Sequence, residues 1–271
     1  MAIGLEGLKK VSAREVPRVI IYGPAGCGKT SLAAEAPDPV FLMTEEGVPA
    51  GFDVTVLGPS PDQTVYTKYE DLMTSLIAIR DQAHDLKTVV NDTVDGVEFL
   101  IWDFVCRENN WDSIESPGYG KGYTEALYEW KNFIKLCDEI RAKRGMNILW
   151  LAHSQVRPFD DPVHGPYSRF LLNVHAKAAD ALTYDADIVA FLNVGVEVAE
   201  TDKGFKQKAR TAESDGARWL FLDKRASFDA KNRYNMPPKL RVPKGEGWKK
   251  LSGYLPGGKT EAKSQKAKEA A

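Results

Sequence analysis

Residues 18–32, RVIIYGPAGCGKTSL, decide how the rest of the chain is read. Val19, Ile20, Ile21 and Tyr22 form an unbroken apolar run into glycine, and after Gly28 the sequence turns to Lys29, Thr30, Ser31 and a helical pattern. Gly23, Gly28, Lys29 and Thr30 fit G-x-x-x-x-G-K-[ST], and the apolar run supplies the buried strand that this pattern needs in front of it. A loop of this kind, here Gly23, Pro24, Ala25, Gly26, Cys27, Gly28, Lys29, Thr30 and Ser31, curls so that successive backbone N–H groups face an anion. The positive end of the following helix adds to the same field. Lys29 is expected to reach the outer phosphates of a nucleotide. The Thr30 hydroxyl is the expected ligand of Mg2+, a hard cation that takes few protein oxygens when phosphates already bind it.

The 271 residues, 43 % hydrophobic, suffice for one large α/β domain, read over 17–256. Residues 1–16 read as a flexible polar arm, and 257–271, GGKTEAKSQKAKEAA, as a disordered tail. A formal charge of −2 excludes a polycation, so any nucleic-acid contact has to come from local patches or from several subunits together. Cys27, Cys106 and Cys137 are odd in number and lack metal-ligand spacing, which points to reduced thiols in a cytoplasmic setting. No signal peptide and no apolar run of about 18 residues is present, so no membrane association is expected.

Beyond the loop, a second apolar strand over 40–43 ends in Thr44-Glu45-Glu46-Gly47. Ligands of α/β sheets lie off the C-terminal ends of the strands, so a glutamate there can orient or deprotonate an attacking water. Glu45 is the candidate, Glu46 its alternative, and capping of the next turn the plainer role. Residues 51–66 read as loop and 69–84 as an amphipathic helix. The short strand over 88–93 presents Asp92, the second candidate in the magnesium shell. Thr93 follows where AAA+ ATPases usually place their catalytic glutamate, which points back to Glu45.

A helix over 94–107 leads to a loop over 108–122, whose glycines, aromatics and Lys121 suit a segment that stacks on bases. After an amphipathic helix over 123–144, the apolar strand over 147–152 ends at His153, the candidate sensor of a terminal phosphate. Residues 157–170, RPFDDPVHGPYSRF, read as a second Gly/Pro-broken loop. Arg157 and Arg169 offer cations for phosphates and Phe159 a ring for stacking, with Asp160 and Asp161 opposing them. A helix over 174–183 and a strand over 187–192 follow. A hairpin is then expected with arms over 194–200 and 217–222, the basic stretch 203–210 forming its solvated connection.

Phosphate loop, Glu45, Asp92, His153 and a late KNRY at 231–234 together resemble the RecA superfamily ATPase core, in particular the phage-encoded RecA-like nucleotide-binding proteins that include the Sak-type single-strand annealing recombinases. KNRY is similar to the KNRFG motif of bacterial RadA proteins, with Asn235 where that motif has its glycine. The resemblance implies a mostly parallel central sheet flanked by helices with a C-terminal β-hairpin extension, and ATP with Mg2+ as cofactors. It also implies head-to-tail self-assembly into a ring or filament. Lys231 and Arg233 would then act on the nucleotide of the neighbouring subunit. The implied setting is recombination or replication on single-stranded DNA in the cytoplasm of an infected bacterium, with a single-strand DNA-binding protein as a further partner. Two alternatives share the same ATP residues: a hexameric helicase or translocation motor, and an annealing protein that uses ATP as an assembly switch.

Overall fold

The computed structural model describes residues 10, 16–48, 53–161, 165–195, 197–202, 208–213 and 216–256. Apolar runs without alternation are what strands covered on both faces require, and here they form the middle of one sheet. In chain order the elements are β1 (Arg18–Gly23), α1 (Lys29–Ala34), β2 (Pro39–Met43), β3 (Thr55–Val56), α2 (Tyr69–Asp81), β4 (Thr88–Asp92), α3 (Val94–Asn109), α4 (Lys121–Arg144) and β5 (Asn147–Asp161). They continue with β6 (Gly165–Leu172), α5 (Ala176–Asp185), β7 (Ile188–Val194), β8 (Glu197–Asp202), β9 (Lys208–Glu213), β10 (Arg218–Phe221), β11 (Lys231–Asn232), β12 (Lys239–Arg241) and α6 (Gly247–Ser252).

The sheet runs β12-β10-β7-β1-β5-β4-β2-β3. Six adjacent strands from β7 to β3 are parallel, while β10 and β12 extend that edge antiparallel. The expected α/β class with a mostly parallel sheet therefore holds. Ile20 and Tyr22 of β1 face one core, under α2–α5, with Trp130, Phe133 and Trp150. Val19 and Ile21 face the other, under α1 and α6, with Leu32, Leu151 and Trp248.

Two expectations are corrected. The Gly/Pro-rich stretch 157–170 is not a loop: its residues continue β5 and return as β6, an antiparallel ribbon in register from Ser154↔Leu172 to Asp161↔Gly165. Prolines are tolerated on strands with a free edge. Pro158 and Pro166 lie where β5 has left β1 and β4, in the part of the ribbon that has no further strand beside it among the described residues. The second correction concerns the hairpin, whose arms are β8 and β9, paired Glu197↔Glu213 to Asp202↔Lys208. Its expected return arm instead joins the main sheet as β10, because Leu220 and Leu222 are fully buried and need cover that a peripheral ribbon cannot give. Lys206 and most of the expected basic connection lie outside the described residues, as do the tail 257–271 and, except for Lys10 and Val16, the N-terminal arm.

Candidate functional site

The loop after β1 is held from several sides. Gly23 passes so close to β7 that a Cβ there would lie 2.1 Å from the Leu192 carbonyl oxygen. Gly28 has φ +93°, the left-handed region that glycine enters without steric cost, and a Cβ on it would meet the Arg218 guanidinium at 2.6 Å. Arg218 Nη1 donates to the Gly28 carbonyl at 3.3 Å. Its Nη2 lies 3.7 Å from Glu35, whose carboxylate also accepts the Gly245 and Trp248 N–H groups at 2.7 and 3.0 Å. The β10 strand and the turn before α6 thus brace the phosphate loop. Lys29 is buried, its ammonium donating to the Gly23 and Pro24 carbonyls at 3.2 and 3.1 Å.

Neighbouring strand ends gather the candidate acid–base groups beside this loop. β5 lies next to β1 with His153 opposite Gly23, followed by β4 ending in Asp92 and β2 ending before Glu45. Thr30 donates its hydroxyl to Asp92 at 2.8 Å. Burial, with Glu45 adding to it, pushes the Asp92 carboxyl up to about 6. The half-exposed Glu45 carboxylate stands 3.8 Å from His153 Nε2. On its other side His153 is fixed by Asp95, which accepts its backbone N–H at 3.0 Å and lies 2.7 Å from Nδ1. That hydrogen bond raises the His153 pKa above the ordinary value. Thr44 locks the approach to Glu45: its hydroxyl donates to the Thr93 carbonyl and accepts the Thr93 N–H, at 2.8 and 2.9 Å.

The donor set fits Mg2+. Thr30 and Asp92 offer two hard oxygens already in contact, and no group of three or more His, Cys, Asp or Glu able to hold a metal occurs among the described residues, so phosphates would complete the shell. On the side of the loop away from Asp92, a cleft of about 450 Å³ opens between Gly28, Ser31, Arg218, Arg241 and Lys244. It has room for the nucleoside end of a nucleotide whose phosphates lie in the loop.

The remaining candidates are more dispersed. Lys121 is the exposed first residue of α4, 5.9 Å above the Trp111 ring. Arg157 is exposed on β5, tied only to Gln155 among its described hydrogen bonds. Arg169 is buried, bonded to Asp229 at 2.6 Å and stacked over Phe159 at 4.8 Å, so it is not a free cation for a phosphate. Lys231 and Arg233 are at the opposite end of β7 from the loop, where Asn232 pairs with Ile188. Lys231 caps α5 through the Thr183 and Tyr184 carbonyls, and Arg233 pairs with Asp187 at 3.0 Å.

Asp95, Glu98, Thr44 and Arg218 went unnoticed in the sequence. Nothing in their local pattern distinguishes them, since each matters through a partner 49 to 190 residues away.

A glycine loop between the central parallel strand and a short helix, with a strand-end carboxylate on the loop's threonine, defines a P-loop protein of the α/β class. The chain belongs to the AAA domain family, whose model matches residues 15–234. No curated protein matches it. Among solved structures it is similar to the crystal structure of the RadB recombinase, at 12 % identity and a TM-score of 0.45, over 84 % of this chain and 88 % of that one. No helix among the described residues is long and apolar enough to cross a membrane.

Proposed function

We propose that this protein binds ATP with Mg2+ and hydrolyses it, assembles head to tail, and acts on single-stranded DNA in phage recombination or replication within the bacterial cytoplasm. The observation that carries the ATPase reading is the meeting of Glu45, Asp92 and His153 on adjacent strand ends beside the phosphate loop. The loop amides and Lys29 bind and orient the phosphates. Thr30 and Asp92 would hold the cation, which would supply neutralisation of charge on the phosphate oxygens. Glu45 takes the proton of the water that attacks the terminal phosphorus as the bond to the bridging oxygen breaks. His153, poised by Asp95 and opening the β5–β6 ribbon, senses the terminal phosphate and passes its state to Arg157 and Phe159.

The test is a matched set of variants. Lys29→Ala should abolish hydrolysis with the fold intact, while Glu45→Gln should bind ATP and turn over about 10² to 10⁴-fold more slowly. Near-normal turnover in Lys29→Ala would remove the ATPase reading. The Glu45 phenotype appearing in Glu46→Gln instead would move the base by one residue.

A further inference from the structure

Four rings form a continuous column across α3, α4 and the start of α5. Phe99 meets Trp102 edge-on at 5.5 Å, Trp102 meets Tyr123 edge-on at 5.5 Å, and Tyr123 stacks on His175 at 4.0 Å with the planes 7° apart. Rings at this density usually belong to a core, but here Phe99 is 63 % exposed and the other three are half-buried. The column also joins cations that are far apart in sequence. Lys121 begins α4 two residues before Tyr123, Lys177 is bonded to Thr124 next to Tyr123, and the charge of Arg157 acts on His175. Burial, Lys177 and Arg157 keep the His175 pKa below its ordinary value, so at neutral pH it is an uncharged ring. Two acids touch the column among the described residues: Glu115 accepts the Tyr123 hydroxyl and Glu98 the His175 backbone N–H, both at 2.9 Å.

From this juxtaposition we infer that the Phe99–Trp102–Tyr123–His175 column is a base-stacking surface on which single-stranded nucleic acid passes between Lys121 and Arg157. The inference rests on the proposed single-strand reading and gives it a path. Rings stack on any base, and cations beside them track the phosphates, which is the combination that sequence-tolerant single-strand binding needs. The path also runs close to the nucleotide site. Glu98, one turn after Asp95 on α3, holds the His175 N–H through both carboxylate oxygens at 2.9 Å.

Anisotropy of a labelled oligothymidylate, titrated with the full chain at several salt concentrations, tests this. Phe99→Ala should weaken binding about tenfold without moving the thermal midpoint, since its ring is exposed. Tyr123→Leu should weaken it similarly and Tyr123→Phe restore it, and Lys177→Gln should reduce the salt slope by about 0.7. If Phe99→Ala and Tyr123→Leu bind like wild type while Arg157→Ala is weakened, the column is not the path and the single-strand reading stands. If wild-type protein binds no oligonucleotide, the reading beneath fails. Unchanged affinity in the ring variants with loss of self-assembly in light scattering would make the column a contact between copies and overturn the inference.

Discussion

Asp95 and Glu98 stand three residues apart on α3 and serve different neighbours, the first a histidine ring and the second a backbone N–H. Their titration diverges accordingly. Hydrogen bonds from His153 outweigh burial and hold Asp95 below the usual carboxylate range, whereas burial pushes Glu98 up to about 7. A carboxyl whose folded value exceeds its unfolded value contributes stability that is full below about pH 4 and is lost as pH rises through about 7. Urea unfolding of wild type and Glu98→Gln between pH 5 and 8 should therefore show wild type losing stability relative to the variant as pH rises. A difference independent of pH would mean that Glu98 does not titrate in this window. The loop residues were legible in the sequence because their spacing is local and chemically demanding, and Asp92 because it ends a short apolar strand, although its partner Thr30 lies 62 residues away. Asp95 was not, because a carboxylate on the first turn of a helix is common and only the fold brings His153 to it.

At the scale of elements, the β5–β6 ribbon separates two arginines that look equivalent in the sequence. Arg157 is exposed and Arg169 is buried against Asp229 and Phe159. Removing Arg169 should cost about 1.5–3 kcal/mol, the usual worth of a hydrogen bond to a charged group, and should leave the salt slope of DNA binding unchanged. Arg157→Ala should stay within about 0.5 kcal/mol of wild-type stability and flatten that slope by about 0.7. Urea midpoints and salt titrations on both variants separate the roles, and a flattened slope in Arg169→Ala would restore it as a phosphate contact. Pro158 and Pro166 concealed the ribbon, since proline punctuates loops in most contexts, and it is acceptable here because no further strand flanks that part of the ribbon among the described residues. The RadA-like motif shows the reverse case. Asn235 has φ 53°, so the residue replacing the glycine is one of the few that tolerates the left-handed region.

At the scale of the whole molecule, the phosphate loop abuts Leu192 of β7, whereas Lys231 and Asn232 pair with Val189 and Ile188 and Arg233 holds Asp187 just before that strand, about 16 Å back along it. Arg233 therefore reaches a nucleotide only if a second copy brings one to it. Arg233→Ala should bind ATP without hydrolysing it, and mixing it with Lys29→Ala should restore part of the activity, where an intact loop meets an intact arginine. A co-assembled mixture as inactive as its components would confine Arg233 to its ion pair with Asp187.

The same separation of the two ends has a consequence for stoichiometry. A head-to-tail contact closes into a ring or continues as an open chain. If Arg233 completes its neighbour's site, an open chain of n copies has only n − 1 complete sites, so turnover per protomer should climb with length and hence with protein concentration, approaching its ceiling as the idle end is diluted among many neighbours. A closed ring has no idle end. Its turnover per protomer is constant from the moment it closes, so a dilution series of specific activity distinguishes the two assemblies without an image of either.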